Sequence, residues 1–316
     1  MRTFSAVAEK RDECNRRARI GIPRASPARA AARALIARLA QRYLKHYQAV
    51  GLAGIGATFA LAAAGVHADS IKIGGTGTGL GAMKLMAQEF NKSRPDAQLI
   101  ITSSLGSTGA IRAVLAGAVD IGVSARPVNP EENRQGASAW AYARTPFAIA
   151  AGAKNKSAGL TLPQLVAIYS GKVTRWPDAS PIRLVLRPDS DSDTIAMRAF
   201  SAEMNGAISA AQARKGLRMA STDQDNADAL EQLPGSLGTT TLTQIVSENR
   251  AIKLLALDGV TPTLRSLAAG RYRHFKTLHL VTARDPSPLA KDFVAFIRSP
   301  AGQAVLARSG NLALQE

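Results

Sequence analysis

The chain is organised around Ser103 to Arg126, which reads SSLGSTGAIRAVLAGAVDIGVSAR. A Gly/Ser/Thr turn (Gly106-Ser107-Thr108-Gly109) leads into Ala110, Ile111, Val114, Leu115 and Val119, which recur at roughly helical spacing. A short β-rich run, Asp120-Ile121-Gly122-Val123, follows. A helix entered through small hydroxyl residues presents free backbone N–H groups and the positive end of its dipole, which favours an anion. An ordinary N-cap with no ligand uses the same residues. Recurrence of the pattern elsewhere weighs towards the anion.

The first recurrence lies upstream. Ser70–Gly75 alternates like a strand, Thr76-Gly77-Thr78-Gly79 follows, and Met83, Leu85, Met86 and Phe90 make a helical pattern. Its glycines are not a dinucleotide fingerprint, because no acidic residue ends the next strand, Gln98–Thr102. The second recurrence follows the strand Ile182–Leu186. There Arg187-Pro188-Asp189-Ser190-Asp191-Ser192-Asp193-Thr194 opens a helix expected over Ile195–Asn205. Arginine offers a bidentate fork to an oxyanion. The acidic residues also fit a self-satisfied capping cluster; a calcium loop would need the central glycine and final glutamate that are missing here. Strands alternating with helices predict an α/β fold with mainly parallel sheets, whose ligands bind at the carboxyl ends of the strands.

The rest of the chain is less specific. Pro127–Gly136 is expected to be a polar turn and Ala143–Ala151 a strand. Thr161 caps a helix ending at Gly171, and Trp176 is expected to be a packing anchor. A helix is predicted over Asp225–Leu233, a strand over His274–Thr282, and two helices over Leu289–Ser299 and from Pro300 to Gly310.

The formal charge of +17 over 316 residues suggests a nucleic-acid partner, but it is unevenly spread. Residues 1–45 hold twelve Lys/Arg and three Asp/Glu, and residues 46–68 hold none. Residues 1–45 form a basic, Arg/Ala-rich extension, expected to be disordered or not translated. Val50–Gly65 is uncharged and apolar, preceded by Arg42, Lys45 and His46 and followed by Val66-His67-Ala68. This predicts a signal peptide over 46–68, cleaved after Ala68, and export to the periplasm. An uncleaved anchor is the alternative. Cys14, the only cysteine, lies upstream, so the mature chain offers neither disulfides nor thiolate chemistry.

The segments SLGSTGAIRAVLAGAVDIGVSAR, LTLPQLVAIYSGKVTRWPD, LRPDSDSDT, LPGSLGTTT, ALDGVTPT and PLAKDFVAFIRSPAGQAVLARSGN, behind the first strand–loop–helix, occur in one order. In that order the chain resembles the phosphate-type periplasmic substrate-binding proteins of ABC transporters, over about residues 70–314. The resemblance implies a two-lobed periplasmic-binding-protein fold. Each lobe is a mainly parallel sheet flanked by helices, and a two-crossover hinge joins them. Lobe I would comprise 70–146 plus 280–316, and lobe II 147–279. It implies ligand contacts from Thr76 and Thr78, from Ser107, Thr108 and Gly109, and from Arg187, Ser192, Asp193 and Thr194. Arg126 either lines the cleft or salt-bridges within it. Other members carry Asp or Ser where Ala125 stands. A proton acceptor for hydrogen phosphate would then have to be a neighbour such as Asp193.

The function so implied is extracytoplasmic binding of phosphate, or a similar tetrahedral oxyanion, by a monomer that delivers it to an ABC transporter permease. A non-transport secreted or surface oxyanion-binding or sensing protein is the alternative. No cofactor, metal or nucleic acid is implied. An enzyme is not expected either: of the four histidines only His274 and His279 belong to the mature part, and neither is near Ser107 or Ser192 in sequence.

Overall fold

The computed structural model describes residues 69–314. The basic extension, Cys14 and the predicted signal peptide lie outside the described residues. The chain opens with strand β1 (Ser70–Gly75), helix α1 (Gly77–Phe90), β2 (Gln98–Ser104), α2 (Gly106–Leu115) and β3 (Ile121–Ser124). A short helix α3 (Pro130–Arg134) leads into the sixteen-residue strand β4 (Ala137–Gly152). Next come β5 (Gly159–Leu160), α4 (Leu162–Tyr169), β6 (Arg183–Leu186), α5 (Ser192–Arg198), α6 (Ala202–Ala213) and β7 (Arg218–Met219). They are followed by α7 (Asp223–Gln232), β8 (Ser236–Thr241), α8 (Leu242–Glu248), β9 (Ile252–Leu254), β10 (Ala256–Leu257) and α9 (Leu264–Ala268). Strand β11 (Phe275–Ala283), helices α10 (Pro288–Arg298) and α11 (Pro300–Arg308), and β12 (Leu312–Ala313) complete the chain. Among the described residues no helix is long and apolar enough to cross a membrane.

Local chemistry sets most boundaries. Thr161 and Gln164 close a capping box on α4. Ser287 caps α10, whose Leu289, Ala290, Phe293 and Ile297 recur at helical spacing and are buried. Two expectations are corrected. The polar turn over Pro127–Gly136 contains α3, nucleated by a capping box between Asn129 and Glu132. The single helix expected over Ile195–Asn205 is two helices, α5 and α6. Ser201 is fully extended between them and accepts a 3.1 Å hydrogen bond from the Met204 N–H, so the hydroxyl starts a new helix rather than continuing the old one.

The main sheet runs β2-β1-β3-β11-β4-β8-β6-β7. Its outer parts are parallel, β2-β1-β3 on one side and β8-β6-β7 on the other. The centre is antiparallel, where β11 and β4 pair from Phe275–Pro146 to Ala283–Ala137. Two apolar cores flank this centre. One gathers Ile71, Met83, Phe90, Ile121, Val123, Tyr142, Leu278 and Phe293, with Phe90 and Phe293 edge to face at 5.4 Å. The other gathers Phe147, Ile149, Leu165, Trp176, Leu184, Met204, Leu237 and Tyr272. Trp176 is the expected anchor: it is buried and its indole N–H donates to the Gly235 carbonyl at 3.2 Å. The chain leaves the first core between Ala143 and Phe147 and returns between Tyr272 and Leu278. Pro146 sits at the first of these passages, where β4 exchanges β11 for β8 and a missing N–H costs least.

His274 stacks on Phe200 at 4.1 Å and meets Tyr272 edge-on at 5.6 Å. Burial lowers the pKa of both His274 and His279 below the ordinary 6.5. The unfolded chain therefore takes these protons first. The stability they leave intact is fully present above about pH 6.5 and is lost as the pH falls through the lowered native values. The melting temperature is expected to fall between about pH 7.5 and about pH 5.5. His274→Phe, which keeps the ring contacts, should flatten that fall; an unchanged slope would place the acid sensitivity elsewhere.

Candidate ligand cleft

Parallel pairing puts the carboxyl ends of β1, β2 and β3 on one edge, so the Thr76, Gly106 and Ala125 loops lie side by side. Thr76 precedes α1 with its N–H on the Val123 carbonyl at 2.8 Å. The Gly77 N–H donates to Ser104 Oγ at 3.1 Å. The glycines of α1 are there for contact. A Cβ at Gly77 would collide with Asp223 and Gln224, one at Gly79 with Val123, and one at Gly81 with Ser247. The start of α1 is therefore pressed directly against α7 and α8.

Across the cleft, β6 ends in Arg187, which is 5% exposed. Its guanidinium donates to the Ala220 carbonyl at 3.0 Å, to Asp191 Oδ2 at 2.6 Å and to Asp223 Oδ1 at 3.2 Å. Among the described residues its buried Nε–H finds no acceptor. Burial would lower the arginine pKa, but Asp223, Asp193 and Asp191 outweigh it and raise it. The second oxygen of Asp223 reaches the opposite edge. It accepts from Thr76 Oγ1 at 2.9 Å and from the Thr78 N–H at 2.8 Å. One carboxylate thus joins the N-terminus of α1 to Arg187.

Lys276 of β11 is the second buried cation. Its ammonium donates to Ser192 Oγ at 2.8 Å and pairs with Asp193. The other oxygen of Asp193 accepts from Thr239 Oγ1 at 2.7 Å. Burial pushes the Asp193 carboxyl up, but Lys276 and Arg187 prevail and hold it below the usual carboxylate range. Burial would lower the lysine in turn, and Asp193, Asp223 and Asp191 raise it. Asp191 goes the other way: its own burial and the charge of Asp193 push it above the usual range. The Asp191 side chain also accepts from the Asp193 N–H at 2.8 Å, and Thr194 Oγ1 donates to the Arg187 carbonyl at 3.2 Å. The entry to α5 is therefore the capping cluster that its acidic residues allow.

Ser107, Thr108 and Arg126 form a separate hydrogen-bonded set. Ser107 Oγ accepts from the Ala125 N–H at 2.9 Å. Arg126 pairs with Glu132 at 2.7 Å and donates to Thr108 Oγ1 at 3.3 Å. Gly109 lies in the first turn of α2, where a Cβ would meet the Leu105 side chain at 3.1 Å. Among the described residues no group of three or more His, Cys, Asp or Glu is arranged to hold a metal ion.

A model of the PBP superfamily domain matches residues 62–301. The chain belongs to the PBP superfamily. The phosphate-binding protein PstS of Bacillus subtilis is 26% identical over 226 residues, which cover 67% of this chain and 70% of that protein. Among solved structures, a candidate phosphate ABC transporter substrate-binding protein with bound phosphate, from Clostridium perfringens, matches with a TM-score of 0.66 at 22% identity. That match covers 78% of this chain and 100% of the other. The periplasmic molybdate-binding protein of Azotobacter vinelandii matches over the same shares with a TM-score of 0.56 at 16% identity. These solved structures share the two-lobed α/β fold of the PBP superfamily.

Three charged residues of the candidate cleft are not apparent as site residues in the sequence. Asp223 lies two residues before the helix expected over Asp225–Leu233, and Asp191 is part of the acidic loop. Lys276 sits in FKTLHL as a polar position of an alternating strand. Asp191 pairs with Arg187 four residues away, whereas Asp223 and Lys276 lie outside every motif and only the tertiary fold brings them to the site.

Proposed function

We propose that this chain is an extracytoplasmic receptor for inorganic phosphate or a similar tetrahedral oxyanion, bound in the cleft and delivered to an ABC transporter permease. The observation that carries the reading is Arg187: a buried guanidinium with an unsatisfied Nε–H at a strand end, facing the first turn of α1. The phosphate-binding name of the B. subtilis relative supports the substrate class. The molybdate-binding neighbour has the same fold, so the anion is a matter of side chains. In this reading the ligand donors are Thr76, Thr78, Ser107, Thr108, Gly109, Arg187, Ser192 and Thr194. Both oxygens of Asp193 are engaged, so its part is to hold Lys276 rather than to take a ligand proton. Arg126, held by Glu132, orders the Thr108 turn through its own hydrogen bond to Thr108 Oγ1.

In this reading lobe I comprises 70–146 plus 280–316 and lobe II 147–279, and the two close on the ligand about β4 and β11. The protein acts as a monomeric periplasmic binding protein, not as an enzyme or a nucleic-acid binder. Calorimetric titration with phosphate, sulfate and molybdate, after unfolding and refolding to strip carried-over ligand, tests the reading. Binding at about micromolar Kd or tighter is expected for one anion; failure of all three overturns it.

A further inference from the structure

The donors that would hold an oxyanion at the start of α1 already hold an anion of the protein's own. Asp223 accepts from Thr76 Oγ1 and the Thr78 N–H with one oxygen and from Arg187 with the other. Thr76 and Thr78 belong to the lobe carrying β1, Arg187 and Asp223 to the lobe carrying β6 and β7, so this carboxylate spans the cleft. It is buried, at 5% exposure. A second observation points the same way. Gly77 and Gly81 lie one turn apart on α1, and each leaves only the space that Asp223, Gln224 and Ser247 of the other lobe fill. Gln224 also bridges the lobes, donating to the Gly77 carbonyl at 3.4 Å while holding Glu248 at 2.9 Å. The apposed surfaces fit one another directly.

Charge separates Asp223 from an ordinary cleft residue. The buried network has two cations, Arg187 and Lys276, against three carboxylates, Asp191, Asp193 and Asp223. A dianion entering it meets a net negative charge, unless one carboxylate withdraws. Asp193 is fastened on both oxygens by Lys276 and Thr239, and Asp191 caps α5. Asp223 is the carboxylate whose place on its donors a ligand can take.

We propose that Asp223 is a built-in counter-anion that straps the lobes closed without ligand, and that an incoming oxyanion must displace it from Thr76, Thr78 and Arg187. The displacement half of this rests on the receptor reading above; the strap half does not. A ligand competing with a group that occupies its place nine times in ten binds about tenfold more weakly than it would to the freed site. Asp223 thereby sets the affinity of the receptor, and with it the concentration at which it loads.

Wild type and the variants Asp223→Ala and Asp223→Asn should be titrated calorimetrically with inorganic phosphate, sulfate and molybdate, and the same samples measured by small-angle X-ray scattering. Both variants are expected to bind phosphate at least about tenfold more tightly than wild type. The wild-type radius of gyration should be the same with and without phosphate, whereas the variants should be expanded alone and contract when phosphate is added. Equal or weaker phosphate binding by both folded variants, checked by circular dichroism, overturns the displacement. If neither wild type nor variants take up phosphate, sulfate or molybdate, the receptor reading fails instead. The strap is then decided by scattering alone: variants as compact as wild type overturn it.

Discussion

Lys276→Met is expected to destabilise the protein by about 3–5 kcal/mol in urea unfolding, the usual cost of removing one partner of a buried ion pair. Lys276 and Asp193 are each only 3% exposed at the side chain, so no water can take over the role of the lost ammonium. Three features make the cost large. Asp193 would keep only Thr239 as a side-chain partner on its carboxylate. Ser192 Oγ would lose its bond to the lysine. Arg187 would remain the sole buried cation among Asp191, Asp193 and Asp223. The pair itself need not be a strong stabiliser, because desolvation offsets most of its attraction; the penalty is that of an unpaired buried charge. The double variant Lys276→Met/Asp193→Asn removes that charge and keeps an acceptor for Thr239, so it should recover most of the loss. The sign of the pH dependence follows. Without Lys276 the Asp193 carboxyl rises, and the cost of Lys276→Met should shrink as the pH falls through that raised value. A loss under about 1 kcal/mol, typical of exposed pairs, would mean that the pair is solvated.

Arg187→Ala should weaken oxyanion binding by about 2–5 kcal/mol, as removing one side of a buried charged contact does. That corresponds to roughly 30- to 5,000-fold in Kd. Arg187→Lys should rescue little. The planar fork reaches the Ala220 carbonyl, Asp191 and Asp223 from one group, and an ammonium cannot span those three positions. The measurement is calorimetric titration of variants whose thermal melts show a folded protein. Unchanged affinity in a folded Arg187→Ala would remove this residue from the site. Asp191, already above the usual carboxylate range, should rise further without the guanidinium, so the variant should regain stability as the pH is lowered.

Much of the architecture is written locally. The periodicity of Ala110, Ile111 and Val114 marks α2, and these are the apolar residues α2 buries. Thr161 and Gln164, and Ser287 and Pro288, act within a few residues of themselves, so they are legible without the fold. Where local signals compete, reading them in sequence is less sure. Ser201 divides what periodicity joins, and Asn129 with Glu132 makes a helix inside a stretch that composition marks as a turn.

The cleft divides along the same line. Arg187 and the Thr76–Thr78 loop stand out in the sequence because each follows a strand and opens towards a helix. Asp223 does not. Its partners Thr76 and Thr78 lie 147 and 145 residues away, and Lys276 meets Asp193 across 83 residues. No local pattern encodes such a meeting. It follows from β4 and β11 running side by side between the two cores, which places the strand ends of both lobes face to face. The α/β pattern, the helix caps and the hydroxyl-rich turns are encoded locally, because hydrogen bonding and apolar periodicity act over a few residues. Which charges share the candidate cleft is set by the folded arrangement, because burial removes the water that would otherwise keep Asp223, Arg187, Asp193 and Lys276 independent of one another.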